Sequence, residues 1–380
     1  MAMKLNLKDF DFKQFMLQRG EWVGLAVALL IVLPALYAGA RNALTSGSAS
    51  ANAGELEKLA KAGNKKIDDN EAIRMLKRAY DLGINFYEMA DMYGNGKSEK
   101  LVGRAFKDMH GGRGVDGEEI VYSTKWGYDM YNNEQVGHSE LPQKHNDPEF
   151  LEYALRQSLN RLEINCIDVY SLHNPKMNAI KNNELFGSLD ALVKSGKIRS
   201  HGVALGPAIG WKDEGVLAME TRNITCLQTV YNLLEQDPGR TFFDVARKNS
   251  VGVMVRVPDA SGVLTGKVNE KTVFDKNDHR SSRKREWIIE AMQKVEKMKP
   301  LAHTNGWNIT ELAVKFILSQ KEVAVVLPTV IGIEELETFA GISDGKYLSD
   351  KDIAEIRVLY DNNFDIKPLA PASTSISPTS

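Results

Sequence analysis

DLGINFYEMADMYGNGKSEKLVGRAF, residues 81–106, is the stretch on which the fold of this chain turns. Its apolar run at 84–89 (INFYEM) follows Gly83, which ends an amphipathic helix whose Ile73, Leu76, Ala79 and Tyr80 share a stripe behind a cap at Asp69. Six more short apolar runs follow: 120–125 (IVYSTK), 167–173 (IDVYSLH), 198–205 (IRSHGVAL), 226–232 (CLQTVYN), 251–257 (VGVMVRV) and 323–328 (VAVVLP). Runs this apolar suit strands of a parallel sheet buried on both faces. Helical stripes lie between them. Asp147-Pro148 opens one with Leu151, Ala154, Leu155, Ser158 and Leu162 at helical spacing, and residues 185–194 form another closed by Gly196. Repeated alternation of strand and helix implies right-handed βαβ units, hence a (β/α) barrel or a doubly wound sheet. No GxGxxG follows the first strand, which disfavours a dinucleotide-binding doubly wound sheet.

Outside this core, the chain of 380 residues balances 48 basic against 50 acidic residues, and no Lys/Arg block interleaves with aromatics, which argues against a nucleic-acid partner. The two cysteines, Cys166 and Cys226, sit in apolar runs without a CxxC and read as buried core thiols. Residues 22–40 (WVGLAVALLIVLPALYAGA) break the pattern, being uncharged over a length that suits a bilayer-spanning helix. Two readings compete: a retained anchor, or a signal peptide cleaved after Ala38-Gly39-Ala40. The anchor is favoured, because the run exceeds the usual apolar region of about 7–15 residues and follows a long segment containing Asp9, Asp11 and Glu21. Lys4, Lys8, Lys13 and Arg19 precede it and Arg41 follows, so residues 1–21 are expected in the cytoplasm and the barrel outside. Residues 41–68 then read as a linker, 69–365 as the barrel and 366–380 as a disordered tail. The expected fold is α/β, a (β/α)8 TIM-type barrel with its first strand missing or replaced, since the seven runs leave one strand unaccounted for and GELEKLAKAGNKKIDD before Asp69 is helix-like.

In a parallel barrel, reactive groups project from the C-terminal ends of the strands. Three consecutive strands deliver such groups here: Glu88 and then Tyr93, Lys125, and His173. Singly, each suits an ion pair or a structural hydrogen bond. Jointly, a carboxylate, a phenol, an ammonium and an imidazole make a site for proton transfer to a carbonyl. Tyrosine, with an unperturbed pKa of about 10, is a poor acid near neutrality unless a cation stabilises its phenolate. Lys125 is placed to supply that charge, Glu88 to hold the lysine, and His173 to hydrogen-bond the substrate oxygen. Hydride must come from a cofactor. No His-x-His or paired-carboxylate cluster stands at the strand ends, so no metal is expected and a metal-dependent hydrolase ranks last.

These residues resemble the aldo-keto reductase family: the quoted segment with Glu88 and Tyr93, STK ending in Lys125, DVYSLHNP with His173, then GKIRSHGVAL, TCLQTVYNLLE and VRVPDASGVLTGK in order. The resemblance implies a carbonyl reductase using NADPH or NADH, with Tyr93 as proton donor and Glu88, Lys125 and His173 around it. Gln228, Arg256 and Lys267 become the candidate cofactor residues, and Trp126 and Asn174 the candidate pocket residues, beside Tyr128 and Tyr131. Departures weaken the cofactor expectation. Glu88 replaces the family's aspartate, Ala204 and Leu205 replace Ser-Asn, and Pro328-Thr329-Val330-Ile331 with Glu335 and Phe339 offers no cation to a 2′-phosphate. Weak cofactor binding is expected. The alternative function is a catalytically silent barrel, tethered to a membrane, that binds a partner.

Overall fold

The structure, a computed structural model, describes residues 27–28, 67–109, 120–132, 141–206, 211–274 and 279–368. Each of the seven apolar runs contains a strand: β2 (Phe86–Glu88), β3 (Val121–Trp126), β4 (Ile167–His173), β5 (Ile198–Ala204), β6 (Cys226–Val230), β7 (Gly252–Arg256) and β8 (Val323–Leu327). They pair in parallel with their sequence neighbours to form a near-closed barrel. A two-residue strand β1 (Val27–Ala28) completes the order, with Val27 opposite Tyr87 and Ala28 opposite Glu88.

Residues 22–40 are expected as an apolar helix, with another segment filling the first-strand position as one alternative; Val27 and Ala28 are extended and take the first place in the sheet. The physical reason is that a strand buried on both faces and a helix in lipid demand the same uninterrupted apolar composition. The rest of 22–40, the segment 1–21, most of the linker and most of the tail lie outside the described residues. Among the described residues no helix is long and apolar enough to cross a membrane.

Helices alternate with the strands: α1 (Asp69–Asp81), α2 (Lys97–Ala105), α3 (Pro148–Leu162), α4 (Asn183–Lys194), α5 (Lys212–Thr221), α6 (Gly239–Asn249), α7 (Ile309–Leu318) and α8 (Ile333–Ile342). A longer helix, Arg285–Thr304, precedes α7. The cap of α1 is Asp68, one residue before the expected Asp69; its carboxylate accepts from the amides of Asn70 and Glu71. Asp147 caps α3 as expected, accepting from Phe150 N with proline at the first turn.

Strand alternation sorts the side chains into two layers. Tyr87, Trp126, Tyr170, Leu172, Leu227, Val253 and Val255 face the helices and join the large core there. Phe86, Val121, Val169, Cys226, Met254, Val325 and Leu327 face inward and pack on one another. Full burial of one such side chain contributes about 1.5–3 kcal/mol. Gly202 keeps the barrel narrow at its middle: an added Cβ would stand 2.3 Å from Cys226 Sγ. Burial pushes the Cys226 thiol up to about 12, as for an inert core cysteine. Cys166 departs from its expected burial, being only half-covered at the entrance to β4.

Candidate active site

Inward-facing residues near the C-terminal ends of the strands line the rim, at staggered heights in the register. His173 stands opposite Ala204, Ala204 opposite Gln228, and Arg256 is flanked by Val230 and Leu327. Glu88, opposite Ser123, and Lys125, opposite Ser171, face inward towards the ends of β2 and β3, almost fully buried. The Lys125 ammonium binds the Glu88 carboxylate and donates to Met89 O at 2.7 Å. Burial, followed by the positive charge of Arg256, pushes the lysine well below its usual range, while the contact with Glu88 acts the other way.

Tyr93 is delivered by the turn between β2 and α2. Gly94, Asn95 and Gly96 all take left-handed conformations there, and at Gly96 (φ +83°) a Cβ would lie 2.5 Å from Arg161 Cδ. Arg161 is held in turn by Glu99, its Nε 2.6 Å from the carboxylate. The turn thus lays the Tyr93 ring under the Lys125 ammonium, 4.7 Å from the ring centroid, with the His173 ring edge-on at 5.8 Å. Burial raises the phenol's pKa, and Arg256 is the cation that opposes this. The sequence reading had given that office to Lys125.

Beyond His173, Tyr128 completes an aromatic wall, its ring edge-on at 5.4 Å. Asn174 Nδ2 donates to Tyr128 Oη at 3.0 Å, and Gln143 Nε2 donates to Asn174 O, so Asn174 does lie beside the mouth. Trp126 does not. One residue past the inward Lys125, it points to the helix layer, fully buried, stacked on Tyr170 and flanked by Phe150 and His145. His145 was not singled out from the sequence. It comes from the polar stretch QKHNDP, where no periodicity marks a buried residue, and it fits because Gly127 (φ +134°) leaves room: a Cβ there would sit 1.9 Å from Nε2. Burial depresses its pKa to about 4.

The expected cofactor residues are spread over the other side of the rim. Gln228 Nε2 donates to Glu88 Oε1 at 3.0 Å, which ties it to the Lys125 pair. Arg256 Nη2 donates to Leu205 O and Gly206 O at 3.0 and 2.6 Å. Lys267 pairs with Glu335, whose other oxygen accepts from Ile331 N at 3.1 Å. Of the Ala204-Leu205 pair only Ala204 faces inward; Leu205 lies against α5, its Cδ1 3.0 Å from where a Cβ on Gly215 would be. A nicotinamide dinucleotide is therefore suited in part. Gln228 would hold it, Ala204 has nothing to offer, Lys267 is already paired, and Arg256 has a donor unused.

A buried lysine–carboxylate pair beneath a tyrosine, with a histidine at its edge, lies at the C-terminal rim of a parallel barrel, where such barrels carry their reactive groups. The family model described as the aldo/keto reductase family matches residues 56–361, and the chain belongs to that family. An aldo-keto reductase of Schizosaccharomyces pombe whose name specifies NADP(+) is 30% identical over 77% of this chain and 83% of its own. The reductase YhdN of Bacillus subtilis is 28% identical over 80% of this chain and 87% of its own. Among solved structures, a glycerol dehydrogenase of Gluconobacter oxydans superposes with a TM-score of 0.65 at 25% identity, covering 80% of this chain and 89% of that one.

Proposed function

We propose that this barrel reduces a small carbonyl compound with NADPH or NADH, Tyr93 donating the proton. The observation that carries this reading is the joint placement of Tyr93, Lys125, Glu88 and His173 on one rim. A reduced nicotinamide, when bound, supplies the hydride. The chain supplies the rest. Tyr93 delivers its proton to the carbonyl oxygen, the charge of Arg256 together with Lys125 stabilises the phenolate left behind, Glu88 fixes the lysine, and His173 orients the oxygen. The name of the S. pombe relative supports NADPH as the first nucleotide to try. Binding is expected to be weak, because Gln228 and Lys267 are engaged within the protein and Ala204 makes no polar contact. Those same engagements favour the competing reading, a silent barrel that binds a partner.

Titration of NADPH and NADH into the full chain, with carbonyl reduction followed by loss of nucleotide absorbance, separates the two. Saturable binding with turnover is expected; no binding of either nucleotide at millimolar concentration would leave the silent barrel. The reading includes a location outside the cytoplasmic membrane, supported by the charges around residues 22–40, whereas pairing of Val27–Ala28 with β2 supports use of that run within the barrel. Protease added to intact spheroplasts should digest an exported barrel. Digestion only after lysis would overturn the export.

A further inference from the structure

Arg256 is a cation in the barrel mouth without an ion-pair partner among the described residues. No carboxylate among the described residues lies within ion-pairing distance of it, and its only hydrogen bonds are the two from Nη2 to the carbonyls of Leu205 and Gly206. Its Nε is shielded from solvent and has no partner. The rim carboxylate of Glu88 is committed to Lys125 and Gln228. A guanidinium stays charged at any ordinary pH, and a shielded charge with an unused donor is costly unless something arrives to complete it. Its planar fork matches the two oxygens of a carboxylate or a phosphate.

We propose that Arg256 receives an anionic group carried by the substrate next to the carbonyl that Tyr93 protonates, so that the preferred substrates are oxo acids rather than neutral aldehydes and ketones. This rests on the reductase reading above. Two sources of anion are conceivable, the substrate and the phosphates of the nucleotide, and position favours the first. Arg256 acts electrostatically on both Tyr93 and Lys125, the groups at the reacting carbonyl. The phosphates of a dinucleotide are separated from its reacting ring by a ribose.

The test uses one ketone in two charge states, phenylglyoxylate and its methyl ester, with mandelate as an inert carboxylate whose binding is read by calorimetry. The full chain should show a KM for phenylglyoxylate at least about tenfold below that for the ester, the equivalent of one charge-assisted contact. Arg256→Gln should collapse that ratio and abolish mandelate binding, and Arg256→Lys should restore part of both. A ratio unchanged in Arg256→Gln, or mandelate bound equally by both proteins, overturns the inference while leaving the reductase reading intact. Loss of NADPH affinity with mandelate binding retained also overturns it, by giving Arg256 to a nucleotide phosphate. Mandelate bound through Arg256 by a protein that reduces neither ketone would keep the anion site and sink the reductase instead.

Discussion

Towards the C-terminal ends of the strands, β2, β3 and β4 present Glu88, Lys125 and His173 inward, whereas β5, β6, β7 and β8 present Ala204, Gln228, Arg256 and Leu327. On the first side the polar groups meet one another: Lys125 binds Glu88 and Met89 O, and Tyr93 sits between the ammonium and His173. On the second side the polar groups turn to the chain or remain incomplete, Gln228 reaching across to Glu88 and Arg256 capping two carbonyls with Nε unused. The fold thus connects the groups of the first side in advance and leaves those of the second to what arrives.

The sharpest way to break this contrast is Tyr93→Phe. Removing the general acid should lower kcat by about 10²–10⁴-fold with nucleotide affinity retained, since the ring still packs against His173. Substantial turnover in the variant would remove Tyr93 as donor. A second measurement probes the packing behind the first side through His145. Its folded pKa of about 4 lies below the unfolded value of 6.5, so above pH 6.5 neither state is protonated and the group is silent. As pH falls from 6.5 towards 4 only the unfolded chain takes up the proton, and about 3 kcal/mol of stability should be lost across that window. Denaturant midpoints of wild type and His145→Gln should converge at low pH; parallel curves would mean that His145 titrates normally. The smallest effect belongs to the second side. Ile331→Arg, at an exposed position beside Glu335, should tighten NADPH by up to about tenfold and leave NADH unchanged. Leu205→Asn, by contrast, places an amide against α5 and should cost about 1–3 kcal/mol of stability without improving binding.

How far these contrasts could be seen beforehand depends on the side-chain periodicity. The seven long strands were legible because each is an apolar run bounded by turn residues, and the proton-handling group was legible because it sits at three consecutive strand ends. Strand β1 was not, since Val27–Ala28 lie in a run whose composition fits a bilayer equally well. Trp126 and Leu205 were assigned to the mouth because they adjoin residues that do face it, but a one-residue step along a strand reverses the face. Their packing against Tyr170 and Gly215 shows that reversal. Arg256 is a candidate cofactor residue in the sequence because its place late on a strand says only that it points inward. That Tyr93 lies in its field depends on the turn at Gly94–Gly96, which folds the phenol back over the opening.

Glu335 holds the Lys267 ammonium with one oxygen and the Ile331 amide with the other. In the language of competition it is a tethered ligand, present at the high effective concentration that any intramolecular partner enjoys. A mobile anion arriving at Lys267 gains only the difference between its own contacts and those it displaces. Added salt weakens the resident and the newcomer together, so the preference between them is far less sensitive to ionic strength than either contact alone.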